Sequence, residues 1–531
     1  MIPWGQNCSS MKRFHLCVSI VSCILFLPSS PAHAGTCEDL AKLQFPDTTI
    51  DKAEVVTHNS FTTVKHRPIG ELPEFCRVVA TLRPSADSDI HVEMWLPQST
   101  WNGRLLGTGS GGFGGFIYYE ELASGLKQGY AVVNTDMGLS VPAGKDQAIF
   151  TNRPERWTDW GFRSTHVMTL LAKRLVNAYY GQEASHSYFL GCSTGGGQAL
   201  AEAQRFPEDY DGLVGGDPPN DRTGVHLSIL WNFIATHRNP GAYIPPAKAL
   251  MLQKAVVAAC DGEDGVKDGI IGDPRRCHFD PAALRCKGSD SDSCLTVEQE
   301  KTAELLYSDP KSPKTHQAIY PGVTLGSEGD WDQSFGPPGS DVQPPFAPIF
   351  EWIFGTQWDW RSFDFDRQAS TFVRTLGPDV NSVDPNLDKF RRLGHRLLIY
   401  QGWADALVTP GGSVGYWDAV SAHIRSEGHE SYRSTGTPDD FYRLFMVPGM
   451  YHCGSGPGAD SFDPLSAMVD WVEHGVAPDQ IIATKYGPSG EAVFQRPLCP
   501  YPRFAKYLGS GNINDAASFA CVAPTTERKN P

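Results

Sequence analysis

The segment Ser187-Tyr-Phe-Leu-Gly-Cys-Ser-Thr-Gly195 decides the fold. Its first four residues form a short apolar run that predicts a buried strand, and Gly195–Arg205 predicts a helix. Between strand and helix, Gly191-Cys-Ser-Thr-Gly195 has the pattern G-x-S-x-G, in which a sharp turn exposes the serine hydroxyl and glycines relieve crowding. The pattern also arises by chance as a glycine-rich turn. Because a strand precedes it and a helix follows, we predict that Ser193 is a nucleophile.

The chemical partners of such a serine follow it in the order acid, histidine, each on a loop after a strand. Leu397–Tyr400 predicts a strand that leads to Asp405, and Leu444–Val447 predicts one that leads to His452. We therefore predict a triad in which His452 accepts the hydroxyl proton and Asp405 orients the imidazole. Four alternatives stay open, namely Asp217 and Asp460 for the acid and His58 and His166 for the base.

The amino terminus has the layout of a secretory signal peptide. Lys12 and Arg13 precede the apolar run Leu16–Leu27, and small residues end at Ala34, where we predict cleavage. We therefore expect residues 1–34 to be removed and the protein to be secreted or periplasmic. No later run is long and apolar enough to span a membrane.

The composition restricts the class of protein. The chain has 531 residues, 45 Lys and Arg against 60 Asp and Glu, and a net charge of −15. Apolar residues at 40% and charged residues at 20% exclude a disordered chain. The acidic balance and the lack of a Lys/Arg run argue against nucleic-acid binding and against a polybasic membrane patch.

The cysteines predict a disulfide framework. Of 13 cysteines, those at 8, 17 and 23 lie in the signal segment, and an even number remains, which in an exported chain indicates five bridges. Spacing favours four local pairs, Cys37–Cys76, Cys260–Cys277, Cys286–Cys294 and Cys499–Cys521. This leaves Cys192 and Cys453, which neighbour the predicted nucleophile and base, so a bridge between them would join those two loops. Two unrelated buried thiols are the alternative.

The predicted elements indicate an α/β fold with an insertion. Strands are predicted within Val55–Pro97 and at Gly129–Asn134, and a helix at Trp160–Tyr180. The stretch from Asp217 to Arg392 interrupts this alternation and is rich in Pro, Asp, Gly and Trp. We predict a catalytic sheet domain at residues 35–217 and 393–531 and an inserted lid domain at 218–392. Its tryptophans either stack on a ligand or form the lid core (Trp331, Trp352, Trp358 and Trp360).

These motifs resemble those of the tannase/feruloyl esterase family of α/β-hydrolases. The resemblance is carried by Gly191–Gly196, by Asp405 in Gly-Trp-Ala-Asp-Ala and by Val447-Pro-Gly-Met-Tyr-His-Cys453, and it covers nearly the whole mature chain. It implies an α/β-hydrolase sheet, a disulfide between the cysteines beside serine and histidine, and hydrolysis of esters of aromatic acids. The acyl group, whether feruloyl, galloyl or terephthaloyl, stays open.

The resemblance also implies an oxyanion hole and a calcium site. The oxyanion donors fall on the backbone N–H groups of Thr194 and of Gly112, and a glycine permits the close approach that a backbone donor needs. The calcium ligands fall on a loop of the lid, as the side chains of Asp261, Asp264 and Asp268 and the carbonyls of Val266 and Ile270. Such oxygen ligands suit a hard cation, although a solvated acidic turn is the alternative.

We thus expect a serine carboxylic ester hydrolase with a structural Ca²⁺, no organic cofactor and a small aromatic ester as substrate. A serine peptidase or acyltransferase on the same scaffold is the second hypothesis, and a calcium-dependent binding protein without catalysis is the third. The oligomeric state is left open.

Overall fold

A computed structural model describes residues 35–57, 60–63, 67–141, 145–262, 264–337, 342–426 and 437–524. The predicted signal peptide therefore lies outside the described residues. The described strands are β1 (Thr48–Val56), β2 (Ser60–Thr62), β3 (Pro68–Gly70), β4 (Phe75–Leu82), β5 (Ile90–Pro97), β6 (Arg104–Thr108), β7 (Ala131–Thr135), β8 (His186–Cys192), β9 (Gly212–Gly216), β10 (Arg396–Gly402), β11 (Tyr442–Val447), β12 (Ile481–Tyr486), β13 (Ala492–Leu498), β14 (Phe504–Tyr507) and β15 (Phe519–Val522).

The α-helices in these ranges are α1 (Tyr119–Lys127), α2 (Pro154–Thr158), α3 (Ser164–Tyr180), α4 (Thr194–Arg205), α5 (Arg222–His237), α6 (Pro246–Cys260), α7 (Val297–Tyr307), α8 (Trp331–Phe335), α9 (Ala347–Phe354), α10 (Arg367–Val380), α11 (Asp388–Arg392), α12 (Gly411–Ser426) and α13 (Pro464–His474). A π-helical turn at Asp159–Arg163 precedes α3, so the regular helix begins four residues later than Trp160, where the periodicity placed it.

Nine strands form one mixed sheet in the order β1-β4-β5-β7-β6-β8-β9-β10-β11. The pairs from β7 to β11 along this order are parallel, and the pairs β1-β4, β4-β5 and β5-β7 are antiparallel. Helices α3 and α4 and helices α1 and α13 pack on the sheet through separate apolar clusters, so its central strands are buried. The predicted α/β-hydrolase fold class is confirmed.

The insertion falls between β9 and β10. Residues 217–395 carry helices α5 to α11 and, where described, add no strand to the nine-stranded sheet. Two apolar clusters are built mainly from this segment, and three of its tryptophans, Trp331, Trp352 and Trp360, are buried in them. The ring of Trp352 also packs on Phe150 and Trp160 of the sheet domain, so these tryptophans serve as core of the lid and of its junction with the sheet domain.

The register of the parallel strands aligns their carboxyl ends. Cys192 pairs with Gly216, Tyr400 pairs with Gly216, and Gly402 pairs with Val447. The residues that follow β8, β9, β10 and β11 therefore emerge side by side at one edge, which is where ligands bind in open α/β sheets.

Candidate active site

Ser193 sits in a strained turn between β8 and α4. Its backbone has φ 58° and ψ −121°, a conformation that residues with a side chain rarely adopt. The turn is held because Ser193 N donates to Gly216 O at 2.9 Å and Gly197 N donates to Ser193 O at 3.0 Å. This geometry raises the hydroxyl above the sheet edge, as the G-x-S-x-G pattern predicts.

The glycines around this turn allow backbone to pack on backbone. A Cβ on Gly109 would lie 2.5 Å from Gly195 Cα, so no larger residue fits there without a backbone shift. Gly195 N also donates to Ser110 O at 2.7 Å. The glycine-rich loop after β6 is thereby pressed against the nucleophile turn.

The structure brings the predicted triad together. His452 Nε2 lies 2.8 Å from Ser193 Oγ, and His452 Nδ1 lies 2.8 Å from Asp405 Oδ2. The carboxylate of Asp405 is fully buried, and its Oδ1 accepts hydrogen bonds from the backbone N–H groups of Leu407 and Val408, both at 2.9 Å. The arrangement can pass a proton from the serine hydroxyl to an imidazole of fixed orientation.

Carboxylates dominate the electrostatics of His452. Burial acts to lower the pKa of His452, but the negative charges of Asp405, Asp217 and Asp330 outweigh it and raise this pKa above its usual value. The strongest of these is Asp405, which is also hydrogen-bonded to the ring. The imidazole is therefore a stronger base toward the serine hydroxyl than a free histidine is.

Asp217, the alternative acid, is fully buried directly after β9. Its Oδ1 accepts from Gly402 N and from Gln401 Nε2, both at 2.8 Å, and its Oδ2 accepts from Cys453 N at 3.0 Å. Burial and then the charge of Asp405 raise the pKa of Asp217 well above its usual value. Asp217 thus bonds to the acid loop and to the histidine loop, and no hydrogen bond joins it to the imidazole within the described part of the chain.

Cys192 and Cys453 form a disulfide with a Cα–Cα distance of 6.0 Å across a sequence separation of 261. The bridge joins the residue before Ser193 to the residue after His452. The other four predicted pairs, Cys37–Cys76, Cys260–Cys277, Cys286–Cys294 and Cys499–Cys521, are bridged as well. All five predicted pairings are present.

A hydrogen-bonded chain supports the predicted oxyanion donors. Gly112 adopts φ +56°, and Thr194 Oγ1 donates to its carbonyl oxygen at 2.5 Å. Arg222 Nη1 donates in turn to Thr194 Oγ1 at 3.2 Å, and its guanidinium stacks on Trp160 at 4.4 Å. Burial lowers the pKa of Arg222 to about 9. The chain places Gly112 and Thr194 beside Ser193 with a buried cation behind them.

The triad opens into a cavity of about 490 Å³. Gly112, Ser193 and His452 line its floor, and Leu407 lies at its side. Its walls carry one carboxylate and four aromatic rings: Glu121, Tyr118, Phe346, Tyr400 and Phe462. Phe346 comes from the lid, so the cavity lies between lid and sheet domain. Its size suits a small organic ligand.

The remaining alternatives lie elsewhere in the fold. Asp460 accepts from Ser455 N at 2.7 Å and from Lys485 Nζ at 3.0 Å. His166 Nδ1 lies 2.6 Å from Asp209 Oδ2, and its ring stacks on Phe206. Neither residue is hydrogen-bonded to the triad, and His58 lies outside the described residues.

The acidic loop of the lid lies far along the chain from the triad, after α6. Asp261 Oδ2 accepts from Gly269 N at 2.8 Å, and Asp268 pairs with the guanidinium of Arg496. Burial, together with the charges of Asp268 and Asp261, raises the pKa of Asp264 to about 6. Three carboxylates on one loop suit a hard cation chemically, whereas the guanidinium of Arg496 competes with such an ion for Asp268. Their oxygens do not all lie within 4.8 Å of one another, because loop N–H groups and Arg496 hold them.

Comparison with known proteins agrees with this site. A sequence profile described as "Tannase and feruloyl esterase" matches residues 76–343 and 351–522. The chain belongs to this family. It is 34% identical over 534 residues to an uncharacterized esterase of Xanthomonas campestris pv. campestris, with 93% of this chain and 92% of that protein covered.

A second relative in the tannase and feruloyl esterase family is a probable feruloyl esterase B-2 of Aspergillus terreus, 31% identical over 528 residues, with 93% of this chain and 97% of that protein covered. The crystal structure of feruloyl esterase B from Aspergillus oryzae superposes with a TM-score of 0.82 at 28% identity, covering 92% of this chain and 99% of that one. This family member is therefore a carboxylic ester hydrolase with a small-molecule ester as substrate.

Several site residues carry no signal in the sequence. Gln401 donates from Nε2 to both Asp217 and Asp405. It lies at the end of the strand that leads to Asp405, and no motif marks it. Arg222, Glu121 and Phe346 belong to helix starts and a loop whose sequences match no motif. Tertiary packing alone assigns them to the site.

Proposed function

We propose that this enzyme hydrolyses esters of phenolic aromatic acids, such as feruloyl or galloyl esters, through an acyl-enzyme on Ser193. The observation that supports this most directly is the continuous hydrogen-bonded path from Ser193 Oγ through His452 to Asp405 at the floor of an aromatic cavity. The named feruloyl esterases among the relatives support the class of acid.

In the first half-reaction, Ser193 Oγ attacks the ester carbonyl carbon while its proton passes to His452 Nε2. The oxyanion of the tetrahedral intermediate accepts hydrogen bonds from the N–H groups of Thr194 and Gly112. His452 then protonates the departing alcohol oxygen, and the acyl group remains on Ser193. Asp405 keeps the imidazole in the tautomer that accepts at Nε2 and stabilises its charged form.

In the second half-reaction, water gives a proton to His452 Nε2 and its oxygen attacks the acyl carbon. The intermediate collapses, Ser193 regains the proton, and the free acid leaves. The Cys192–Cys453 bridge and Asp217 keep the serine and histidine loops in place through both steps.

The test is labelling with a fluorophosphonate followed by peptide mapping, together with hydrolysis of a panel of aromatic esters and amides. We expect label on Ser193 and release of aromatic acids from esters. Hydrolysis of amides in place of esters would favour the peptidase hypothesis, and absence of label with no hydrolysis would favour a binding protein.

We further propose export and a structural calcium ion. Five disulfides favour an oxidising compartment, and the predicted signal peptide supplies the route. In the described chain, no helix combines the length and the apolar character needed to cross a membrane.

Asp261, Asp264 and Asp268 with the carbonyls of Val266 and Ile270 would hold Ca²⁺, which would neutralise the clustered charge of the loop. Amino-terminal sequencing of the mature protein and elemental analysis test these two proposals.

A further inference from the structure

The cavity above Ser193 carries an unbalanced charge. Glu121 is the only carboxylate among the described residues that line it, and no Lys or Arg lines it within the described ranges. Tyr118 and Tyr400 add two further polar groups. A ligand in this cavity therefore meets a negative field and a strong hydrogen-bond acceptor.

Within the described segments, Glu121 has neither a hydrogen-bond partner nor a partner of opposite charge. It lies in the first turn of α1, and its carboxylate makes no hydrogen bond or ion pair with any described residue. Its neighbour Glu120, in contrast, pairs with Arg67 at 2.8 Å and does not line the cavity. Glu121 is solvent-exposed at the cavity wall, and partial desolvation there and then the charge of Glu120 raise its pKa above the usual value. One of the two adjacent acids thus has a guanidinium partner, while the other faces the cavity without a counter-charge among the described residues.

The rings around Glu121 determine what can approach it. Tyr400 and Phe462 pack edge to face at 5.1 Å, and burial, the charge of Asp217 and then the charge of Glu121 raise the pKa of the Tyr400 phenol. Phe346 of the lid faces the same space. A flat aromatic acyl group placed between these rings can present a ring substituent to the carboxylate.

We propose that Glu121 selects the acyl group: it accepts a hydrogen bond from a ring hydroxyl of the substrate and repels an acyl group that carries its own carboxylate. This inference rests on the proposed function and deepens it. A carboxylate acceptor makes hydrogen bonds roughly twice as strong as a neutral one. A second carboxylate in the cavity finds no Lys or Arg among the described lining residues and is disfavoured by repulsion from Glu121. Feruloyl and galloyl esters satisfy this requirement, and terephthalate monoesters do not.

The experiment compares kcat/KM for four substrates, three of them methyl esters, which carry no hydroxyl on the alcohol side. These are methyl ferulate, methyl 3,4-dimethoxycinnamate and the anionic mono-(2-hydroxyethyl) terephthalate, with dimethyl terephthalate as its neutral reference. We expect the wild-type enzyme to favour the phenolic ester over its O-methylated match by about tenfold, the equivalent of one hydrogen bond.

Glu121→Gln should reduce that preference to within about threefold and raise the anionic-to-neutral terephthalate ratio by about tenfold, because the acceptor weakens and the repulsion disappears. Glu120→Gln is the matched control and should leave both ratios unchanged, since that carboxylate pairs with Arg67 and does not line the cavity. Unchanged ratios in Glu121→Gln, or a wild-type preference for the anionic ester, would overturn the proposal. If no ester is hydrolysed and Ser193 takes no label, the proposed function itself fails.

Discussion

At the scale of single residues, two buried aspartates share one neighbourhood and have different tasks. Asp405 is hydrogen-bonded to the imidazole of His452, whereas Asp217 accepts from the backbone N–H groups of Gly402 and Cys453. Gln401 Nε2 lies 2.8 Å from Asp217 and 3.2 Å from Asp405, so one amide separates the two carboxylates. The contact with the ring assigns the acid of the triad to Asp405.

Replacing Ser193 with alanine should abolish ester hydrolysis, because the covalent step needs the hydroxyl. We expect kcat to fall by at least about a hundredfold with an unchanged melting temperature. Steady-state kinetics and thermal unfolding measure both. Retention of more than about a hundredth of the activity would contradict the assignment.

Asp405→Asn should lower kcat by about 10⁴-fold and leave KM nearly intact, because the asparagine amide favours the wrong histidine tautomer. Asp217→Asn is the matched comparison. Its amide nitrogen would face the N–H of Cys453, so we expect a lower melting temperature and a loss of about tenfold in kcat. If Asp217→Asn shows the larger kinetic loss, the acid of the triad is Asp217.

The pH dependence of kcat/KM should reflect His452, which must be neutral to accept the serine proton. Because the nearby carboxylates raise the pKa of His452, the activity should rise with pH through a midpoint above 6.5. Asp405→Asn should move this midpoint to lower pH, since it removes the charge that favours the imidazolium. A midpoint below 6.5 in the wild-type enzyme, measured with a neutral ester, would contradict the prediction.

At the scale of elements, the sheet edge is held together by a bridge between two loops. Cys192 ends β8, and Cys453 lies on the loop that follows β11, with β9 and β10 between these strands in the sheet. The disulfide therefore spans the two intervening strands and closes a loop that includes the whole lid. Its removal frees serine and histidine to move relative to each other.

The double variant Cys192→Ala/Cys453→Ala should remain folded at low temperature and lose most of its activity. Chain-entropy reasoning assigns a bridge of this loop length on the order of 4–5 kcal/mol, and a shift of about 1 Å between reacting groups costs about a hundredfold in rate. Circular dichroism and kinetics measure the two effects.

The control variant Cys286→Ala/Cys294→Ala removes a lid bridge of sequence separation 8. We expect it to keep nearly full activity, because that bridge touches neither loop. Equal activity in the two double variants would argue against a positioning role for Cys192–Cys453.

At the scale of the whole molecule, the acidic loop joins the lid to the carboxyl-terminal strands. Asp268 pairs with Arg496 of β13, and Tyr507 N of β14 donates to Asp264 O at 3.1 Å. The lid contacts the sheet domain at several places, among them this loop and Phe346, whose ring packs edge to face on Phe113 at 5.2 Å. An ion in the loop would stabilise the first of these junctions.

Removing calcium with a chelator should lower the melting temperature, because an ion bound only by the folded state stabilises it by mass action. Asp264→Asn should lower it similarly and make it insensitive to chelator, whereas Asp292→Asn, an exposed lid aspartate, should behave as wild type. Differential scanning fluorimetry with added Ca²⁺ measures these shifts. No shift together with no metal in elemental analysis would leave the loop a solvated turn.

The sequence by itself was sufficient to predict the features that depend on a short motif or on the number of cysteines. A strand followed by G-x-S-x-G and a helix located Ser193, because that turn needs small residues at set positions. An even number of cysteines with four local pairs left Cys192 and Cys453 as the fifth pair. The order of strand and loop then suggested Asp405 and His452.

Only the tertiary structure decided between residues with the same local context. Asp217 and Asp405 each follow a parallel strand, and these strands end at the same edge, so sequence position alone does not separate them. The register of β9, β10 and β11 places Asp405 Oδ2 2.8 Å from the imidazole and turns Asp217 toward the backbone. The positions of Glu121 and Phe346 at the cavity also depend on the tertiary structure. They are set by packing between segments that are distant along the chain, and no short sequence pattern predicts such packing.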